Sequence, residues 1–173
     1  MAVSLYEAVV PSQLQILRAV DRLLGKAVGF AGDEGMSEED LIGAKLAPDM
    51  LPLGYQVKSC VAHSVGGIAG VRQGSFSPDR SGWPQDLAGL RALIAGAIAT
   101  LEAITPEEID VLADNPTTFQ FGEMTMPFTG ANFLLSFSQP NFYFHATVAY
   151  AILRHLGMKV GKSDFLGRPR VTM

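Results

Sequence analysis

Met124–Leu153, MTMPFTGANFLLSFSQPNFYFHATVAYAIL, runs thirty residues without a single Asp, Glu, Lys or Arg. A membrane span needs about 20 mostly apolar residues, so length alone would permit one. The contents argue otherwise. Pro127, Asn132, Gln139, Pro140, Asn141 and His145 interrupt the apolar run, and an unpaired polar group in lipid is expensive. A helix buried in a protein core is the better reading. At 100° per residue, Asn141 and His145 stack on one face with Leu134, Phe137, Val148 and Ile152, so the pair is expected to point towards that core. Pro140 lies inside the segment, which predicts a short helix followed by a long one. Thr129 caps it. Gly157 stops it, with Arg154 and His155 in the last turn, where positive charge is favoured.

Just upstream, Thr117–Phe121 and Met124–Phe128 alternate with period two around Gly122-Glu123, the pattern of a β-hairpin. Two strands alone are marginal and must lean on helices. Three further helical patterns supply them. Ser4-Leu5-Tyr6-Glu7 reads as a capping box. Val10, Leu14, Leu17, Val20, Leu24 and Val28 then follow at helical spacing, predicting a first helix that ends near Gly29–Gly32 and is disturbed by Pro11. Ser37 caps a short turn through Ala44. Beyond the Pro48–Pro52 turn, Leu53, Val57, Val61, Ser64, Ile68 and Val71 share one face of a second helix. Gly66, Gly67 and Gly70 weaken its end. With no strand before them these glycines do not read as a phosphate cradle, and close packing is the expectation. A loop over 73–85, holding Trp83, leads to a third helix from Asp86 to Ala103. Thr105-Pro106-Glu107-Glu108 opens a short one. Residues 161–173 read as a polar tail. Together this is an all-α four-helix bundle with a small β-hairpin before the last long helix, residues 1–173 forming a single domain.

Composition agrees. Hydrophobic residues make up 48% and charged residues only 17%, enough apolar content for a sizeable core. A net charge of -4 lacks the footprint of a nucleic-acid binder. The first ten residues hold Glu7 and no Lys or Arg, so no secretory signal is expected. A single cysteine suits a reducing compartment. The expectation is a cytoplasmic protein with no nucleic-acid or membrane partner.

Few residues could carry chemistry. His145 needs a partner if buried, and Asn141, one turn away, could supply it. A helical pair of this spacing is also how a bundle presents metal ligands. On helix two, Gln56, Cys60 and His63 lie within roughly 60° of arc, and Cys with His is a soft-ligand set for zinc. A lone cysteine is more often a small core residue. His155 reads as a partner of the helix C-terminus. Asp49 is the acidic residue best placed to orient a group at the top of helix two, with a turn or N-cap role as its alternative.

At these residues the sequence resembles a known family. Leu46-Ala47-Pro48-Asp49-Met50 with Gln56-Val57, Phe128-Thr129-Gly130, Pro140-Asn141-Phe142-Tyr143-Phe144-His145, Tyr150–His155 and Gly161–Gly167 are similar to an uncharacterised bacterial family within the DinB/YfiT-like metalloenzyme superfamily, over nearly the whole chain. The resemblance implies an up-down-down-up four-helix bundle, often homodimeric. It also implies a divalent metal held by three histidines, one from helix two and two from a four-apart pair on the last long helix. Here His145 matches the second of that pair, Asn141 stands where the first would be, and Gln56 stands near the helix-two position. An amide is a poor ligand for zinc or nickel beside imidazole. The expectation is therefore a homodimer with a metal-poor central pocket lined by Gln56, His63, Asn141 and His145 near Asp49, and with no cofactor. The alternative is a divalent-metal-dependent hydrolase or thiol transferase with zinc or nickel on His145.

Overall fold

Ser4 stands in extended backbone and its hydroxyl accepts the Glu7 N–H, starting α1 (Leu5–Glu34). The computed structural model of the chain describes residues 3–171. Pro11 is absorbed into the early turns of α1 without ending it. The helix runs past Gly29 and Gly32, whose Cβ positions face open space, and stops at Gly35, the first glycine with a left-handed backbone (φ 63°). The expected end was thus a few residues early, because a glycine stops a helix only where the chain adopts that conformation. Ser37 caps α2 (Glu38–Gly43) through the Asp40 N–H. The side chain of Glu38 reaches across to accept the Leu87 N–H at 2.7 Å.

The second long helix is two helices, α3 (Leu53–Ala62) and α4 (Val65–Gln73), broken at His63-Ser64. The Ser64 hydroxyl donates to the carbonyls of Cys60 (2.8 Å) and Val61 (3.2 Å), giving the backbone an alternative to a continuous helix. The His63 carbonyl instead accepts from two distant side chains, Ser138 Oγ at 2.9 Å and Gln13 Nε2 at 3.4 Å. Gly67 is needed beside the break, since a Cβ there would come within 2.3 Å of Ser138 Oγ.

The expected hairpin is β2 (Pro116–Phe121) and β3 (Met124–Thr129), antiparallel, with Phe119 opposite Met126 and Gly122 at φ 60° in the turn. It gains a third strand from the 73–85 loop, β1 (Ser75–Phe76), which runs parallel to β2. Pro127 costs no ladder bond on its outer side because β3 is the edge strand. Asp86 caps α5 (Leu87–Glu102), and a full capping box starts α6 (Pro106–Asp110).

Thr129 caps α7 (Gly130–Asn132), which widens into a π-helical turn, Phe133–Ser138, and continues as α8 (Gln139–His155). Pro140 at the start of α8 lacks the N–H that regular α winding would aim at the preceding turn, and that turn is the one that widens. The polar tail is not all loop. It carries α9 (Lys162–Leu166), pinned on α1 by Lys26–Asp164 (2.5 Å) and by Gln15 Nε2 to the Leu166 carbonyl (2.8 Å).

Helices dominate. α1 packs against α5 and α8, and α3 packs against the same two. Leu17, Leu24, Val57, Leu90, Ile94, Phe133, Phe142 and Ile152 are fully or nearly fully buried in the core this closes. Among the described residues no helix is long and apolar enough to cross a membrane.

Candidate functional site

α3 and α8 pack side by side, which brings Gln56 to His145. Gln56 is buried, and its Nε2 donates to the Leu51 carbonyl at 2.8 Å. Its Oε1 therefore faces the imidazole and lies 2.7 Å from His145 Nδ1. An amide oxygen only accepts, so Nδ1 carries the proton and Nε2 keeps a lone pair. The expected partner was Asn141. That amide instead donates to the Phe137 carbonyl at 2.7 Å, filling its own helix's widened turn.

The His145 ring is half-buried among aromatic groups. His63 stacks on it (centroids 5.7 Å, interplanar angle 13°), while Tyr55 (5.8 Å) and Phe144 (5.3 Å) meet it edge-on. His63 sits in turn against Phe76 and Phe137. Burial lowers both imidazoles to about 4, and for His63 the neighbouring His145 adds to the effect. Both rings are neutral near pH 7, the state that keeps a nitrogen lone pair available.

Behind the rings lies a polar layer between α1 and the widened turn. Gln13 is 0% exposed, and its Oε1 has no partner among the described residues. The Nδ1 atom of His63 and the Oε1 atom of Gln139 are also buried without one. Gln139 Nε2 donates to the Ala8 carbonyl (3.2 Å) and the Tyr143 hydroxyl (3.3 Å). Gln13, Ser138 and Gln139 were missed from the sequence. The available signal was a glutamine on the apolar face of helix one, between Val10 and Leu17.

Of the remaining candidates, Cys60 is fully buried and its thiol donates to the Gln56 carbonyl at 3.3 Å. Burial pushes that thiol far up, into the inert range. Asp49 does not join the site. It is exposed in the turn and forms no hydrogen bond with Gln56, His63 or His145, and it does not cap α3, whose N-cap is Pro52. His155 is exposed in the last turn of α8.

The three-imidazole centre that the resemblance implies does not fit these residues. Its other two positions hold Gln56 and Asn141, and their amides are committed to His145, Leu51 and Phe137. Among the described residues no group of three or more His, Cys, Asp or Glu side chains converges as a metal site. Two larger surface clefts, one beside α4 (about 410 Å³) and one beside α1 (about 640 Å³), have none of Gln56, His63, Asn141 or His145 in their walls.

No curated protein matches the sequence. A solved structure described as a DinB family member protein from Shewanella denitrificans is similar to it, at 28% identity over 98% of this chain and 95% of that one, with a TM-score of 0.81. The model of a domain of unknown function, DUF1993, matches residues 5–166. With that match spanning α1 through α9, the chain belongs to the DUF1993 family, a DinB-like family of uncharacterised function.

Proposed function

We propose that this chain is a homodimeric small-molecule-binding protein, a single DinB-like four-helix bundle of up-down-down-up order, in which the Gln56–His145 pair takes the place of a metal centre. The observation that carries this is the 2.7 Å contact between Gln56 Oε1 and His145 Nδ1. It commits the helix-two amide to orienting an imidazole. The mutual packing of α1, α3, α5 and α8 supports the bundle. Leu51 (47% exposed) and Phe144 (57% exposed), each adjoining a member of the pair, support an apolar face that a ligand and a second copy cover together. The ligand is a neutral molecule that donates a hydrogen bond to His145 Nε2 and lays a flat apolar surface along Tyr55 and Phe144.

Elemental analysis of protein purified without an affinity tag, with light scattering to give the oligomeric state, tests the reading. The expected result is a dimer without stoichiometric transition metal. His145→Ala should lower stability by about 1–3 kcal/mol, since it leaves the buried Gln56 oxygen unpaired. Stoichiometric zinc or nickel, lost on His145→Ala, would overturn the proposal in favour of a divalent-metal-dependent hydrolase or thiol transferase.

A further inference from the structure

Four of the eight arginines in the chain line one cleft. Arg18 and Arg22 project from α1, and Arg168 and Arg170 from the segment that follows α9; the space between them is about 640 Å³, and among the described residues no carboxylate lines it. Arg18 pairs with Glu102 at the rim (2.5 Å), and Arg170 reaches Ser12 Oγ at 3.4 Å. Arg22 and Arg168 have no acidic partner among the described residues. In a chain of net charge -4 this is a local concentration of positive charge. Like charges one helical turn apart oppose each other; of the four, only Arg18 has a carboxylate partner among the described residues, so Glu102 relieves the grouping in part and a bound anion would relieve the rest.

The placement is built in. Lys26–Asp164 and the bond from Gln15 to the Leu166 carbonyl hold α9 against α1, immediately before the two tail arginines. Gly167 then passes so close to α1 that a Cβ would fall within 2.5 Å of Arg22 Nη2, and its φ of 65° suits glycine. Pro169 limits the backbone between Arg168 and Arg170. The remaining wall, including Tyr6 and Leu14, is largely apolar.

We propose that this cleft binds a small molecule carrying two or more phosphate groups on an apolar or aromatic body. Guanidinium forks match phosphate oxygens in pairs. The volume lies in the range of small-molecule sites. Tyr6 and Leu14 offer the body a surface. The site is separate from the Gln56–His145 pair and does not depend on the function proposed above.

Isothermal titration at fixed ionic strength with pyrophosphate, ATP and citrate tests the assignment, on the wild type, on the Arg168→Ala/Arg170→Ala double variant and on Arg72→Ala, a control on α4 paired with Glu108. Both tail arginines are exposed, so the double variant should fold, and its melting temperature checks that. Pyrophosphate should bind the wild type and the control alike, and the double variant at least roughly tenfold more weakly. ATP binding tighter than pyrophosphate supports the apolar wall, and ATP binding more weakly overturns that part. Citrate separates the two sources of anionic charge: binding as tight as pyrophosphate overturns the phosphate assignment. Absence of pyrophosphate binding at millimolar concentration, or equal loss in the control, overturns the site.

Discussion

Gln56 Oε1 and His145 Nδ1 meet at 2.7 Å although 89 residues separate them in the chain. The bond decides which imidazole nitrogen is protonated and leaves Nε2 as the one with chemistry to offer. It also turns a buried amide, which would be costly alone, into a satisfied one.

Gln56→Glu is the most informative substitution at that contact. A carboxylate against Nδ1 favours the imidazolium, so His145 should titrate well above its value of about 4. An NMR titration of the ring carbons follows it directly. A His145 that titrates unchanged in the variant would show that the two side chains do not meet in solution.

Stability should fall towards acid. Both His63 and His145 sit at about 4 when folded, against 6.5 for the free side chain. Below about pH 6.5 the unfolded chain takes up protons that the folded one refuses. The stabilisation is therefore complete above pH 6.5 and is lost as pH falls to about 4, at up to roughly 1.4 kcal/mol per pH unit for each histidine. Urea midpoints at pH 7.5 and pH 5 measure it. His63→Phe, which places an apolar ring against Phe76 and Phe137 and removes the unpartnered Nδ1, should abolish about half of the difference. An unaltered difference in that variant would refute the assignment.

Two glycine substitutions should diverge. A Cβ at Gly130 would lie 2.1 Å from the Leu112 carbonyl oxygen and 2.7 Å from Val71 Cγ1. Backbone cannot swing away as a flexible side chain can, so Gly130→Ala should cost roughly 1–3 kcal/mol or more. Gly96, exposed in α5, meets nothing within 4 Å. Gly96→Ala should be neutral or stabilise by about 0.5–1 kcal/mol. Thermal melts of the two variants side by side would show the opposite signs.

Lys58 holds the 73–85 loop. Its side chain is 9% exposed, and its ammonium contacts the Asp79 carbonyl (3.2 Å), the Ser81 carbonyl (2.5 Å) and Asp79 Oδ2 (3.0 Å). Lys58→Met keeps the stem and removes these bonds. Limited tryptic cleavage after the exposed Arg80 should then become markedly faster, with little change at Arg72 or Arg91. Equal rates in both proteins would mean the loop is held by other contacts.

Much of the fold was legible in the sequence because its signals are local. Ser4, Ser37, Thr105 and Thr129 all cap the helices they precede, and a cap needs only the next three residues. The hairpin and the long last helix follow from residue period in the same way. His145 was legible as a candidate, but its partner was not. Spacing along one helix offered Asn141, and the contact made is to Gln56 on another.

Residue period and capping chemistry set the helical and strand segments, where most of them start and the apolar surface they share. Tertiary structure decided the break between α3 and α4, the docking of α9, the third strand and the polar layer around Gln13, His63 and Ser138. The last three depend on bonds between groups far apart in the chain, and the break combines such bonds with the local bonds of Ser64. The His63 carbonyl accepts from Ser138, 75 residues away, and from Gln13, 50 residues away. Such partners meet only after the helices have packed, and no local pattern encodes the meeting.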